Sequence, residues 1–363
     1  MNGSELNRES VRILIIKPSS LGDIFHTLPA VSLLLKDYPD AEIDWLINPA
    51  FADALKYCPN LRSAIPFPRR ELGRVSSFIP AFFRLYRQIR AREYDLIIDF
   101  QGLFRSAIFG WFARSFRFAG FAAPREKLAK IFYGDACIVP EKFIHAVERN
   151  CFLASHVMET HYTPHELPPL QIYKNAATQA ESMLQGIGIQ RGEAFIGVMH
   201  DARWESKCWP EDFFVDTLKA LLRAMPELKA VILGAPSSFD SAERIVTAFD
   251  DATRVMNLAG KTDIPVLVEL LRHSSGVLCN DSGPMHIAAA VSTPVFGLFG
   301  PTDPERTGPY GAMHLKFQPD IPCIKCLKRS CPECEEGELP LCHRSIDPVE
   351  TAFAIANKLN SRS

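Results

Sequence analysis

The sequence predicts an α/β protein made of two doubly wound, Rossmann-like domains. Three observations carry that prediction. With 363 residues, the chain exceeds one ordinary domain and suggests two. Short apolar runs recur through both halves, separated by helix-like stretches, which is the pattern of βαβ units in a parallel sheet. A polar, proline-rich stretch from Thr160 to Pro169 stands between two such series and reads as a linker. The expected domains are therefore residues 11–168 and 169–348, with a cysteine-rich segment at 321–345 and a C-terminal helix and tail at 349–363. Two open sheets, each offering the carboxyl ends of its strands, are expected to face a cleft suited to two substrates.

Val11 to Ile16 reads as a buried strand and Ile24 to Leu35 as a helix, so Ser19-Ser20-Leu21-Gly22-Asp23 is a strand–loop–helix junction. Asp23 would stand beside unpaired N–H groups, where the helix dipole favours the ionised, proton-accepting form. A capping Asp in a tight turn would look the same. Glu42 to Ile47 and Ala64 to Phe67 are further strands. Ser76 to Arg92 is a helix with Phe78, Phe82, Leu85, Tyr86 and Ile89 at helical spacing and Arg84, Arg87 and Arg90 interleaved. That pattern suits the core face of a sheet-covering helix, or a surface for an anionic membrane. Tyr94 to Phe100 is a buried strand ending in the turn Gln101-Gly102-Leu103. A helix begins near Phe104, in a Phe-rich stretch reaching Phe121, and Phe143 to His156 closes the first half.

The second half opens with a helix from Ala176 to Gly186. Its expected strands are Ala194 to Met199, Ala230 to Leu233, Arg254 to Leu258, Gly276 to Cys279 and Pro294 to Phe299. Helices between them are expected at Glu211 to Ala224, Ser241 to Phe249, Pro265 to His273 and Pro284 to Val291.

Hydrophobic content of 47% with 23% charged residues is that of a soluble globular chain, and a net charge of −2 gives no argument for nucleic acid. The charge is unevenly spread. Residues 62–130 hold fourteen Lys or Arg against five Asp or Glu, which suits an anionic ligand or membrane surface. Met1 to Arg12 has no apolar core of a signal peptide, and no run approaches the ~18 apolar residues of a spanning helix. The expected location is cytoplasmic, peripheral to a membrane, where ten Cys would be thiols or metal ligands and not disulfides.

Several strand ends carry groups suited to phosphate oxygens or to ribose and sugar hydroxyls. In Leu278-Cys279-Asn280-Asp281-Ser282-Gly283-Pro284-Met285-His286, a strand ends in residues that cap a helix, and exposed N–H groups at the helix start suit a diphosphate. Lys207, in Arg203-Trp204-Glu205-Ser206-Lys207-Cys208-Trp209-Pro210, is a point charge suited to phosphate oxygens. Gly234 ends another strand, with Asp240 and Glu243 within reach of a ribose or sugar hydroxyl. The absence of G-x-G-x-x-G and of a Walker A sequence removes support from dinucleotide dehydrogenase and P-loop readings. Late in the chain, Cys323-x-x-Cys326 and Cys331-x-x-Cys334, followed by Cys342-His343, suggest a structural zinc or iron–sulfur site, although four residues between the pairs is tighter than in common zinc sites.

Seven pieces in order, S-S-L-G-D-I-F-H-T-L-P-A, I-D-F-Q-G-L-F-R-S-A, P-R-E-K-L-A, H-A-V-E-R, R-W-E-S-K-C-W-P, N-D-S-G-P-M-H-I-A-A-A and F-G-P-T-D-P, resemble the bacterial heptosyltransferases of glycosyltransferase family nine. The match spans residues 11 to about 312, and P-R-E-K-L-A and H-A-V-E-R look most like the type I branch. The resemblance implies a GT-B fold, an ADP-heptose donor, a Kdo-lipid A acceptor at the inner leaflet of the cytoplasmic membrane, and inversion at the anomeric carbon without a cofactor. It implies that Asp23 is the general base and that Lys207 holds the donor phosphate. Ser206, Gly234, Glu243, Asp281, Ser282, Gly283, His286, Thr302 and Asp303 would line the donor site. Ser20, Gly22, Gln101, Arg105, Arg125 and Lys127 would line the acceptor side. Some relatives carry a Thr pair where this chain has Ala202 and Arg203. The partly similar C-x-x-C tail of type II relatives allows the late cysteines to be a family trait without metal.

Overall fold

The first strand, β1 (Arg12–Ile16), is apolar because it is covered on both faces: Ile13, Leu14, Ile15 and Ile16 have no exposed surface. A strand apolar at successive positions, instead of alternate ones, belongs inside a parallel sheet with helices on both sides. The computed structural model describes residues 10–164, 170–251, 253–335 and 338–361. They divide into two compact units, Met1–Leu167 and Pro168–Ser363. Residues 165–169 of the proline-rich stretch lie outside the described residues.

In the first unit, β1 is followed by α1 (Leu21–Phe25), α2 (Leu28–Asp37), β2 (Glu42–Ile47), β3 (Leu61–Pro66), α3 (Val75–Arg90), β4 (Glu93–Asp99) and α4 (Phe104–Phe112). Then come β5 (Arg114–Phe121), a 3₁₀ segment over Lys127–Phe132, β6 (Asp135–Cys137) and α5 (Ala146–Val157). All pairings are parallel, in the order β3-β2-β1-β4-β5-β6.

The second unit runs α6 (Lys174–Gly186), β7 (Phe195–Met199), α7 (Glu211–Ala224), β8 (Lys229–Ile232), α8 (Phe239–Thr247), β9 (Val255–Asn257), α9 (Ile264–His273), β10 (Gly276–Asn280) and α10 (Gly283–Ala290). It ends with β11 (Val295–Leu298), α11 (Pro304–Thr307), β12 (Leu315–Phe317), α12 (Leu341–Arg344) and α13 (Pro348–Asn360). Its parallel sheet has the order β12-β11-β10-β7-β8-β9.

Both sheets share one topology. Each starts in the middle, winds outward to one edge, then returns to the centre and winds to the other. The return creates a switch point between β1 and β4, and another between β7 and β10, the place where open α/β sheets bind their ligands. Register aligns the strand ends there. Ile16 lies opposite Asp99, and Met199 opposite Cys279.

Three features differ from expectation. The helix expected over Ile24 to Leu35 is two helices, because Pro29 cannot donate to residue 25 and its ring opposes the carbonyl there; it serves instead in the first turn of α2. The Phe-rich stretch is a helix and then a strand: α4 ends at Phe112 and β5 begins at Arg114. β6 and β12, three residues each, are strands too short to show a period. The inner face of α3, Ala81, Leu85 and Ile89, is buried in the first unit's core with Leu14, Ile16 and Ile97. Among the described residues, no helix is long and apolar enough to cross a membrane.

Candidate active site

At the switch point of the first sheet, the chain leaving β1 turns sharply into α1. Ser20 donates to Asp23 Oδ2 from its backbone N–H at 2.7 Å and from its hydroxyl at 2.6 Å. The capping role therefore accounts for one carboxylate oxygen. The other, Oδ1, lies 3.8 Å from the ammonium of Lys17, which itself donates to the Phe100 carbonyl at 2.9 Å. Lys17 thus spans the ends of β1 and β4. The α5 helix supports the turn from behind. Asn150 donates to the His26 carbonyl and to Thr27 Oγ1, and Thr27 donates to the Asp23 carbonyl. His145 meets His26 edge-on at 5.2 Å.

Asp99 organises the neighbouring loop. Its Oδ1 accepts from the N–H groups of Gln101 and Gly102, and its Oδ2 accepts from the Tyr133 hydroxyl at 2.7 Å. Complete burial pushes its pKa up to about 6, against the opposing pull of those hydrogen bonds and of Lys17. Gln101 Oε1 then accepts from Ser19 N–H at 3.3 Å, tying the two loops together. Gly102 has φ +65°, and a side chain there would meet Arg125 N at 3.1 Å. Glu126 closes this corner: its N–H donates to the Gly102 carbonyl, and its carboxylate accepts from Phe104 N–H at the start of α4.

Three cations surround these loops. Arg105, Arg125 and Lys127 are exposed and make no hydrogen bond or ion pair among the described residues. Elsewhere in the basic section, Arg62, Arg84, Arg92, Arg114 and Arg117 are matched by carboxylates. The unneutralised charge therefore includes the strand-end edge. Ser20 is engaged with Asp23, and Gly22 lies inside α1, where its carbonyl accepts from His26.

The second sheet repeats the plan with different chemistry. Lys207, in a 3₁₀ turn over Glu205–Lys207, places its ammonium 2.6 Å from Asp281 Oδ2, at the end of β10. Thr302 donates to the same oxygen at 2.6 Å. Trp204 lies beneath the ammonium, 4.8 Å from ring centre to Nζ. Asn280 locks the strand ends by donating to the His200 carbonyl and accepting from Trp209 N–H. Ser282 precedes α10, and its buried hydroxyl has no hydrogen-bond partner among the described residues. A buried hydroxyl at a helix N-terminus, with a buried carboxylate and an ammonium beside it, suits diphosphate oxygens. Gly283 and His286 belong to the first turns of the same helix.

A polar group lies along the ends of β7, β8 and β9. His200 pairs with Ser241 Oγ at 2.7 Å, and its pKa is lowered by burial despite Asp201 and Glu211 nearby. Ser238 donates to Asp201, and a side chain at Gly234 would stand 3.0 Å from Ser238 Oγ. Glu243 accepts from Asn257 at 2.7 Å, which fixes its carboxylate near the end of β9.

Two expected donor residues have structural partners. Ser206 donates from its hydroxyl to Lys328 O and from its N–H to Arg329 O, and its own carbonyl is 2.8 Å from His343 Nε2. Asp303 caps α11 and pairs with Lys325 at 3.0 Å; burial would raise its pKa, but these contacts hold it below the usual carboxylate range.

The cysteine-rich segment thus braces the Lys207 loop. Among the described residues, nothing supports the zinc or iron–sulfur alternative for this segment. The free thiols of Cys331 and Cys334 share a hydrogen bond, while Cys326 is exposed. The Cys342 thiol is pushed up to about 11 by burial and then by Cys331, Cys323 and Cys326, yet no three His, Cys, Asp or Glu among the described residues are gathered as a metal ion requires.

Sequence reasoning missed Lys17, Asp99, Glu126, Tyr133, His200, Asn280 and His343. A charged residue at the end of a buried strand, directly after β1 at Lys17 and closing β4 at Asp99, was the available signal.

A family model described as glycosyltransferase family 9 (heptosyltransferase) matches residues 82–335. The chain is 28% identical over 359 residues to lipopolysaccharide heptosyltransferase 1 of Pseudomonas aeruginosa, covering 94% of this chain and 96% of that one. It is also 28% identical over 309 residues to lipooligosaccharide heptosyltransferase 2 of Haemophilus influenzae, covering 82% and 86%. Among solved structures, it resembles Escherichia coli ADP-heptose lipopolysaccharide heptosyltransferase II with a TM-score of 0.77, 22% identity and coverage of 97% and 99%. An Escherichia coli heptosyltransferase solved with ADP-2-deoxy-2-fluoro heptose gives a TM-score of 0.74, 24% identity and coverage of 97% and 100%. The two wound sheets of six parallel strands have the GT-B fold of those structures.

Proposed function

The chain belongs to glycosyltransferase family 9, the heptosyltransferases, and from that premise we propose that it moves heptose from ADP-L-glycero-D-manno-heptose to Kdo-lipid A in lipopolysaccharide synthesis. Residues 11–168 take the acceptor, and residues 169–348 take the donor. The observation that carries this reading is the convergence of Lys207, Asp281, Thr302 and the unpartnered Ser282 hydroxyl on the start of α10. Such a set holds a diphosphate, and the family supplies the identity of the sugar. The acceptor class follows from Arg105, Arg125 and Lys127, three cations that suit the carboxylates and phosphates of Kdo and lipid A. The reaction takes place at the cytoplasmic face of the inner membrane, with the protein peripheral to it.

In this mechanism Asp23 Oδ1 takes the proton of an acceptor hydroxyl while Oδ2 remains held by Ser20. The oxygen attacks the anomeric carbon from the face opposite the diphosphate. The bond from that carbon to the phosphate oxygen breaks, and the configuration inverts. Charge building on the departing ADP is met by Lys207 and the N–H groups opening α10. Lys17 holds the ends of β1 and β4 together beside the base. The displacement uses these side chains and draws on no cofactor.

The type I step is favoured by the relative from Pseudomonas aeruginosa, which is matched over nearly its whole length. A type II step has its own support in the Haemophilus influenzae relative. The test is ADP release and product mass with ADP-heptose and either Kdo₂-lipid A or its monoheptosylated form. One heptose added to Kdo₂-lipid A is expected. Transfer only to the heptosylated acceptor would move the protein to the type II step, and no ADP release with either acceptor would overturn the reading.

A further inference from the structure

Helix α3 is apolar on both sides. Ala81, Leu85 and Ile89 fill the core, as a sheet-covering helix requires. Val75, Ile79 and Phe83, at intervals of four, form a second stripe that is 97%, 65% and 54% exposed. The stripe continues into a surface shared by three elements. Phe78 stacks on Phe82, Phe82 meets Phe112 of α4, Trp111 meets both Phe112 and Phe132, and Phe104 meets Phe132 of the 3₁₀ segment. Trp111 is 59% exposed, and Leu128 and Ile131 extend the surface beyond it. A connected apolar surface of this kind is uncommon on a chain that meets only water.

Its border is cationic. Arg74 precedes Val75, Arg87 lies one turn beyond Phe83, and Arg105, Lys127 and Lys130 sit beside Phe104, Leu128 and Ile131. All five are exposed and make no ion pair among the described residues. Aromatic and aliphatic side chains inside a ring of Arg and Lys match the layering of an anionic bilayer, with acyl chains beneath phosphate headgroups.

We propose that the outer faces of α3, α4 and the Lys127–Phe132 segment dock this protein on an anionic phospholipid bilayer. The inference deepens the proposed function and rests on its reading of a lipid-linked acceptor. α4 starts beside the Gln101–Gly102 loop, so the docked face runs up to the edge where the acceptor sugar would be taken. An acceptor anchored in the bilayer would then present its headgroup to Asp23 without leaving the lipid.

The experiment is co-sedimentation of the full-length protein with vesicles of neutral phospholipid, alone or mixed with an anionic phospholipid. The wild-type protein is expected on the anionic vesicles and to be released by salt. The triple variant Ile79→Glu, Phe83→Glu, Trp111→Glu is expected to partition at least about tenfold less, with an unchanged thermal transition. The milder pair Ile79→Ser, Phe83→Ser should fall between them. With a water-soluble, deacylated acceptor, all three proteins should turn over alike. Equal partition of wild type and variants, equal binding to neutral and anionic vesicles, or a dimer dispersed by the variants with no vesicle binding would each overturn the proposal. Wild-type protein that binds anionic vesicles but transfers no heptose would keep the docking surface and remove the function attached to it.

Discussion

Asp23 and Asp99 stand at the ends of adjacent strands, yet their surroundings differ. Asp23 is half-exposed, with one oxygen bound to Ser20 and the other facing Lys17. Asp99 is wholly buried, and three donors converge on it. Its pKa rises from an ordinary 3.8 to about 6, so between these values the folded protein binds a proton that the unfolded chain releases. Its contribution to stability therefore falls as pH rises through that window, by up to about 3 kcal/mol at 1.36 kcal/mol per pH unit. Asp99→Asn should flatten this part of the profile in urea denaturation from pH 4 to pH 6.5; an unchanged slope would show that Asp99 does not carry it. Little of this was legible beforehand. Asp23, Lys207 and Asp281 stand in recognisable turns, whereas the partners that orient them come from distant segments. Asn150 lies 124 residues from the carbonyl it holds, and His343 lies 137 from Ser206.

Elements were legible where their pattern was long and their ends were marked. α7 runs over Glu211–Ala224 as its apolar spacing predicts, and β2 over Glu42–Ile47. Two short helices replaced the one expected after β1 because a single proline outweighed continuous apolar spacing. β5 was hidden because its first half, Arg114 to Arg117, lies at the surface and lacks a buried period. The cysteine-rich segment was legible as a cluster, with a metal site and a metal-free family trait both left open, and the described residues give the metal no support. It serves as a brace, with α12 presenting His343 to the carbonyl of Ser206 beside Lys207. Burial lowers the His343 pKa, so the neutral ring donates this bond near pH 7. His343→Ala leaves a buried carbonyl without its donor, at a cost of about 1–3 kcal/mol, and loosens the Lys207 turn. Steady-state kinetics should show KM for the ADP-sugar raised several-fold with a smaller change in kcat, partly restored in His343→Gln, which keeps an N–H donor. Equal loss in both variants would leave only a packing role.

The whole chain uses one topology twice and sets different side chains at the two switch points. In both sheets the candidate residues lie at the ends of the two strands that flank the switch point: Lys17 and Asp23 after β1, Asp99 closing β4 and Gln101 after it, and Lys207, Asp281 and Ser282 after β7 and β10. The first set offers a carboxylate among cations. The second offers an ammonium and a helix N-terminus. Alternating apolar runs foretold two parallel sheets, but strand order depends on which strands pair, and local periodicity carries no information about that. The proposed division into acceptor and donor sides makes a separable prediction for Asp23, because removing the proposed base should leave donor binding intact. Asp23→Asn preserves the shape of the side chain and an oxygen for Ser20. Titrating this variant with ADP-heptose and measuring its turnover on Kdo₂-lipid A tests the account most directly. The expected result is donor affinity close to wild type with turnover reduced by about 10²-fold or more. Turnover close to wild type would contradict it.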